Sequence, residues 1–323
     1  MNEQIFVSVD WGTSNFRARL VDRASRKCID EISSAVGGAR NLYELWQTRG
    51  GKRETYFLHF LADQLRKFNA PLPINATVVI SGMASSNIGL RELPYAMVPF
   101  PADGSSVITE AIPAGENFGF EILLISGIRT QNDVTRGEET QFMGCLSDEG
   151  KIARGTFIFP GTHSKHFFIR DNSIRDFKTY MTGEFFELLS RHSLLRSSVA
   201  AHANTGKKGA VGAFDEGVQL SANTNLLHTA FLVRTNALFR KLTPADNFRF
   251  LSGLIIGCEL RELLHEDSGT IYLVGDNGLI PSYESALGLL GLGAKVLVMD
   301  IDRVKNATIH GQSKVLQLKN LKQ

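Results

Sequence analysis

The chain has 323 residues, 43% hydrophobic and 21% charged, which describes a folded globular protein too long for one ordinary core and predicts two domains with a site in the cleft between them. Lys and Arg total 35 against 33 Asp and Glu, and no basic run exceeds Lys207-Lys208, so nucleic acid and acidic membrane surfaces are poor partners. Cys28, Cys145 and Cys258 are far apart with no C-x-x-C pair, so neither a disulfide framework nor a zinc site is suggested and they read as buried, reduced thiols.

No basic, apolar and small-residue leader opens the sequence, so a cytoplasmic protein is expected. The most apolar stretches, such as "FLSGLIIGCELRELL", are too short and too interrupted by charge to span a bilayer.

In chain order, three short strands near residues 5–10, 16–21 and 28–32 predict a meander with tight turns. A helix follows over "KRETYFLHFLADQLRKF", where Tyr56, Phe57, Phe60, Leu61, Leu65 and Phe68 recur at helical spacing and form a core stripe. "ATVVISGMASS" and "FEILLISGIRT" are buried strands that both end in Ile-Ser-Gly, and strand C-terminal ends are where open α/β sheets bind ligands. "RGEETQFMGCL" opens a helix with acids in its first turn.

The second half, "GTFIFPGTHSKHFFIRDNSIRDFKTYMTG", repeats the outline of the opening meander, which suggests two domains of one topology, 1–150 and 151–323, divided in "SDEGKIARG". Helices are predicted near 183–192 and 213–223, with a flexible loop over 201–212 between them. Two long helices, "NLLHTAFLVRTNALFRKL" and "TPADNFRFLSGLIIGCELRELLHE", meet at Thr243-Pro244, an N-cap followed by proline. "TIYLVGDNGL" is a buried strand ending in glycines, before a helix over "PSYESALGLLG".

Small and polar residues thus cluster at four strand ends: 10–14, 81–86, 160–165 and 275–278. A glycine after a strand is ordinary turn chemistry, but the recurrence suggests a phosphate cradle built from backbone amides and hydroxyls. Neither G-x-x-x-x-G-K-[ST] nor G-x-G-x-x-G occurs, which argues against the other common nucleotide folds.

"VSVDWGTSNFRARLVD" resembles the first phosphate motif of the actin-like ATPase and sugar kinase superfamily, "FIFPGTHSKHFFIRDNSI" its second, and "LVGDNGLIPSYESALGLLG" its adenosine motif. More narrowly, "DVTRGEETQFMG", "PGTHSKHFFIRDNSIRDFKTYMTGEFFELLSRHSLL" and "SGLIIGCELRE" resemble the 2-dehydro-3-deoxygalactonokinase family along nearly the whole chain. The resemblance implies a two-domain α/β, ribonuclease H-like fold with an interdomain nucleotide cleft. It also implies ATP- and Mg²⁺-dependent phosphorylation of the 6-hydroxyl of 2-dehydro-3-deoxy-D-galactonate.

Carried onto these residues, the resemblance makes Asp10 the metal-side acid, with Gly12, Thr13 and Ser14 meeting the transferring phosphate; the plainer alternative is a turn aspartate capping amides. Glu138 becomes the base that orients the acceptor hydroxyl, while Glu139, about 100° away around the helix, points elsewhere and serves the helix dipole. Gly161, Thr162, His163, Ser164 and Lys165 form the second phosphate loop, although His163 also reads as a surface-turn histidine and Lys165 as a solvated strand residue. Gly275, Asp276, Asn277 and Gly278 approach the adenosine.

A sugar-acid acceptor calls for a cation, preferably arginine. Arg91, Arg129 and Arg136 stand at suitable strand ends beside Ser85 and Ser86, whereas Arg17 reads as facing solvent. "GMASSNIGLRELPY" departs from the usual "GMIGSRQGWREAPY", so Asn87, Ile88 and Leu90 replace an Arg, a Gln and a Trp, and Arg129 is placed to compensate. The rival readings are a kinase for another sugar acid or hexose, a non-catalytic ATP-binding sensor, and a structural actin-like protein. A homodimer is the base-rate expectation.

Overall fold

The structure is a computed structural model that describes residues 5–146, 152–200, 212–222, 224–275 and 278–321. The described residues form two compact units: those of Met1–Lys151, Asp171–Asp176 and Asp302–Gln323, and those of Ile152–Arg170 and Phe177–Ile301. Residues 201–211 of the predicted 201–212 loop and most of the predicted boundary segment, 147–151, lie outside the described residues.

In the first unit, β1 (Ile5–Trp11), β2 (Phe16–Asp22) and β3 (Cys28–Ser34) form the predicted antiparallel meander, and β4 (Thr77–Gly82) lies parallel to β1. The sheet runs β3-β2-β1-β4, then strand Ile122–Ile125 parallel to β4, then Thr109–Ile112 antiparallel at the edge. Side chains alternate along β1, so Val7, Val9 and Trp11 share one face and one core with Phe57, Leu61 and Leu65 of helix Arg53–Leu65.

The opposite face receives helix Ile301–Asn320, whose Gln312 Nε2 donates to Val9 O at 2.8 Å and Ser81 Oγ at 2.9 Å. Asp10 is in register with Ser81 and alternates with Val9 and Trp11, so it projects on that side. Helix Glu138–Cys145 packs backbone to backbone on the C-terminal helix: a Cβ on Gly144 would lie 1.8 Å from Ala307 O, and one on Gly311 2.0 Å from Thr140 O.

The second unit repeats the plan. Strand Arg154–Phe159 is antiparallel to Ser164–Arg170 and parallel to Thr270–Leu273, which is parallel to Val296–Val298; residues 177–180 of strand Ser173–Tyr180 belong to this unit as well. In both six-stranded sheets the third, second, first and fourth main strands thus follow one another in that spatial order. Helices Ala213–Ser221 and Pro244–Leu260 approach closely because a Cβ at Gly217 or Gly253 would lie 2.2 Å or 2.1 Å from the other helix's carbonyl oxygens.

Several expectations change. The stretch 225–242 is not one long helix but two short ones, Leu226–Thr229 and Leu232–Leu238. Thr229 Oγ1 turns back to Asn225 O at 3.0 Å and Leu226 O at 3.4 Å, the back-bonding that interrupts helices. Cys28, expected to be buried, is exposed at the start of β3, whereas Cys145 is buried and Cys258 half-buried. Among the described residues no helix is long and apolar enough to cross a membrane.

Candidate active site

Asp10 is half-buried near the end of β1, followed by Trp11, which is fully buried against the rings of Phe16, Phe57 and Phe60. Trp11 Nε1 donates to Gly37 O at 2.9 Å, which fixes the start of the loop. Gly12 N donates to Asn15 O at 2.9 Å, and the loop's carbonyls are tied down from behind: Ala39 N donates to Gly12 O at 3.0 Å and Arg40 N to Thr13 O at 3.2 Å. Helix Ala39–Arg49 thus spends its first amides on the loop rather than on a side-chain cap. Thr13 is left half-exposed and Ser14 exposed.

Beside this loop, β4 ends at Gly82, whose φ of +92° and whose Cβ position 2.6 Å from Trp11 O both require glycine. A Cβ on Gly137 would lie 3.5 Å from Gly82 Cα, so the start of helix Glu138–Cys145 abuts the β1 and β4 ends that carry Asp10. The two acids of that helix separate. Glu138 is half-buried and accepts from Thr135 Oγ1 at 2.6 Å. Glu139 is buried and accepts from Gly137 N at 2.8 and 3.0 Å; burial, reinforced by the charge of Glu138, pushes its carboxyl up to about 8.

The arginines differ in what already holds them. Arg91 pairs with Glu54 at 2.6 Å and with Glu110, so two carboxylates match its charge. Arg136 stacks on Tyr95 at 3.9 Å and donates to Ser85 Oγ at 2.7 Å and Leu93 O at 2.9 Å, with no carboxylate partner among the described residues. Arg129 is exposed, its Nε against Met97 Sδ at 2.9 Å. Ser85 and Ser86 are both buried, and Ser85 serves as the support for Arg136.

In the second unit, Gly161 and Thr162 bridge two strands, and a Cβ on Gly161 would meet nothing within 4 Å. Behind them lies helix Thr182–Glu187: a Cβ on Gly183 would lie 2.7 Å from Gly161 O, and Glu184 N donates to Thr162 O at 3.0 Å. His163 is not a loose turn histidine, since its Nε2 pairs with Glu184 Oε2 at 2.5 Å. Lys165 is not a solvated strand residue either; it is buried and its Nζ donates to His163 O at 2.9 Å. Gly275 follows strand Thr270–Leu273 and Gly278 precedes helix Ile280–Leu289, while Asp276 and Asn277 lie outside the described residues.

Sequence reasoning missed Thr135, Glu184 and Glu259, the partners of Glu138, His163 and Ser164. Glu259 alone left a signal, an acid inside the apolar run "SGLIIGCEL". Among the described residues no group of three or more His, Cys, Asp or Glu gathers to hold a metal. One carboxylate, Asp10, with hydroxyls beside it fits Mg²⁺, which keeps its waters and takes most other ligands from nucleotide phosphates.

The family described as 2-keto-3-deoxy-galactonokinase matches residues 10–314. The 2-dehydro-3-deoxygalactonokinase of Escherichia coli (strain K12) is 30% identical over 304 residues, covering 91% of this chain and 93% of that protein. A protein of Rhizobium meliloti (strain 1021) assigned the same activity is 32% identical over 91% of this chain and 92% of its own. A crystal structure from Sinorhizobium meliloti, also assigned as a 2-dehydro-3-deoxygalactonokinase, aligns with a TM-score of 0.79 and 30% identity over 97% of this chain and 96% of that one. The chain therefore shares the fold of that structure. The chain belongs to the 2-keto-3-deoxy-galactonokinase family, ATP-using phosphotransferases with an alcohol acceptor on a sugar acid of galactonate metabolism.

Proposed function

We propose that this chain transfers the γ-phosphoryl group of ATP to the 6-hydroxyl of 2-dehydro-3-deoxy-D-galactonate. The observation that carries this reading is the meeting, within the first unit, of the strand end bearing Asp10 with the helix start bearing Glu138. A carboxylate at each of those positions suits phosphoryl transfer, which needs positioning and charge stabilisation more than covalent chemistry.

In this reading Glu138, steadied by Thr135, orients the 6-hydroxyl and takes its proton as the bond to phosphorus forms. Gly12, Thr13 and Ser14 offer donors to the transferring phosphate. Gly161, Thr162, His163 and Lys165 hold the rest of the polyphosphate, and Gly275 and Gly278 lie along the adenosine. Asp10 with bound waters holds Mg²⁺, which supplies neutralising charge to the phosphates. Arg136 and Arg129 are the cations for the acceptor carboxylate, because Arg91 is matched by Glu54 and Glu110. The earlier part of the chain then supplies the acceptor and first phosphate loops, and the part after residue 151 supplies the second phosphate and adenosine loops. Use of ATP supports a cytoplasmic location, and a homodimer is proposed on base rate alone.

The test is an ADP-coupled assay with Mg²⁺ over a panel of 2-keto-3-deoxy sugar acids, aldonates and hexoses. Selective turnover of 2-dehydro-3-deoxygalactonate is expected. Preference for another sugar acid would trace to Asn87, Ile88 and Leu90 in the altered loop and would replace the acceptor in this reading. ATP binding without turnover of any acceptor would make the chain a sensor.

A further inference from the structure

Glu259 lies near the end of helix Pro244–Leu260 and is buried, only 3% exposed. An ionised carboxylate there is costly unless its acceptor positions are filled, and all four are. Oε1 accepts from Ser164 Oγ at 2.6 Å and His166 Nε2 at 2.7 Å; Oε2 accepts from Tyr283 OH at 2.7 Å and from Thr182 Oγ1. Burial pushes the carboxyl up, but the His166 hydrogen bond and charge, with Ser164 and Thr182, outweigh it and hold the group below its ordinary value. Burial and the Glu259 charge push the Tyr283 phenol well up, which keeps it a donor.

Three of the four donors adjoin the loops assigned above to the nucleotide. Ser164 follows His163 within the phosphate loop. Thr182 opens the helix whose Gly183 and Glu184 back Gly161, Thr162 and His163. Tyr283 is in the first turn of helix Ile280–Leu289, just after Gly278. Apolar side chains often fill a buried ionic site with no loss of stability, yet they give the hydroxyls of three separate segments no common acceptor.

We propose that Glu259 is a positioning residue for the phosphoryl donor, one buried carboxylate that fixes the phosphate loop and the helix after the adenosine loop in a single geometry for ATP. The proposal rests on the reading of residues 161–165 and of Gly275 and Gly278 as nucleotide loops. It assigns Glu259, Thr182 and Tyr283 to ATP affinity and leaves the sugar acid to other residues.

The test measures ATP binding by calorimetry, and KM for ATP and for 2-dehydro-3-deoxygalactonate by steady-state kinetics, on full-length Tyr283→Phe, Glu259→Gln and Gly161→Val. Tyr283→Phe keeps the ring and loses one donor, so ATP Kd and KM should rise about fivefold or more while KM for the sugar acid stays within about twofold. Glu259→Gln, which turns one oxygen into a donor facing other donors, should act in the same direction by a factor on the order of 10 to 100. If Glu259→Gln does not fold, Ser164→Ala takes its place, with an expected rise like that of Tyr283→Phe. A folded Tyr283→Phe with unchanged ATP affinity, or equal loss for both substrates, overturns the proposal. Gly161→Val separates the two levels: weaker ATP binding there with unaltered binding in Tyr283→Phe sinks only the role of Glu259. Unaltered ATP binding in Gly161→Val sinks the phosphate-loop reading and the proposal together.

Discussion

At the scale of single residues, the neighbouring acids Glu138 and Glu139 show how one helical step divides two roles. Glu138, half-buried and held by Thr135, is the one proposed for proton transfer; Glu138→Gln is expected to lower kcat about 10²- to 10⁴-fold with the circular dichroism spectrum unchanged. Asp10→Asn should likewise abolish turnover while ATP binding in the absence of Mg²⁺ persists, and normal activity in either variant would remove that residue from the mechanism. Glu139 makes a different prediction. Its carboxyl binds a proton more tightly folded, near 8, than at its ordinary 4.5, so its contribution to stability is fully present below about pH 4.5 and is lost as pH rises through about 8. Thermal melts should therefore show stability falling across that window, by up to about 1.4 kcal/mol per pH unit, and Glu139→Gln should flatten the slope. The helical step between the two acids is legible in the sequence, because periodicity alone separates their faces. The partners are not: Glu259 meets His166 and Thr182 across 93 and 77 residues, a distance over which no local pattern speaks.

Elements were legible where their own residues carry the reason for them. The meanders, the Ile-Ser-Gly strand ends and the stripe of helix Arg53–Leu65 each announce themselves by alternation, turn residues or helical spacing. Helix Ala39–Arg49 does not, since it lacks a capping side chain, buries only Ala39 and Leu42, and begins where it does because Gly12 and Thr13 carbonyls accept its first amides. The C-terminal helix was equally silent, although it sets the position of helix Glu138–Cys145 through the contact of Gly311 with Thr140 O. A methyl group at 2.0 Å from that oxygen forces the two helices apart. Gly311→Ala is thus expected to cost about 1–3 kcal/mol and, by shifting the Glu138 helix, to lower kcat more than KM. Thermal denaturation with steady-state kinetics checks both parts; a full-rate, fully stable variant would show that this helix contact does not position the site.

Across the whole molecule, the chain leaves its first unit at Ile152, rejoins it briefly over Asp171–Asp176, and returns at Asp302 to finish it. Length and the repeated meander lead to the expectation of two domains, but they give no sign of this return, because an amphipathic helix carries no mark of which sheet it will cover. Its buried face includes Ile309, Val315 and Leu316, and at about 1.5–3 kcal/mol for each such side chain the helix contributes roughly 5–9 kcal/mol. That matches the net stability of an ordinary domain, roughly 5–15 kcal/mol, so the first unit should not survive the loss of the helix. Its removal would also leave Val9 O and Ser81 Oγ without Gln312 on the sheet face that carries Asp10. A chain ending at Asp300 is therefore expected to be inactive, with amide hydrogen exchange protection lost in β1, β4 and helix Glu138–Cys145. Strands Arg154–Phe159 and Thr270–Leu273, whose core lies within the second unit, should retain theirs. Protection persisting in β1 and β4 would mean that this sheet is stable without its C-terminal cover, and would limit the helix to positioning Glu138.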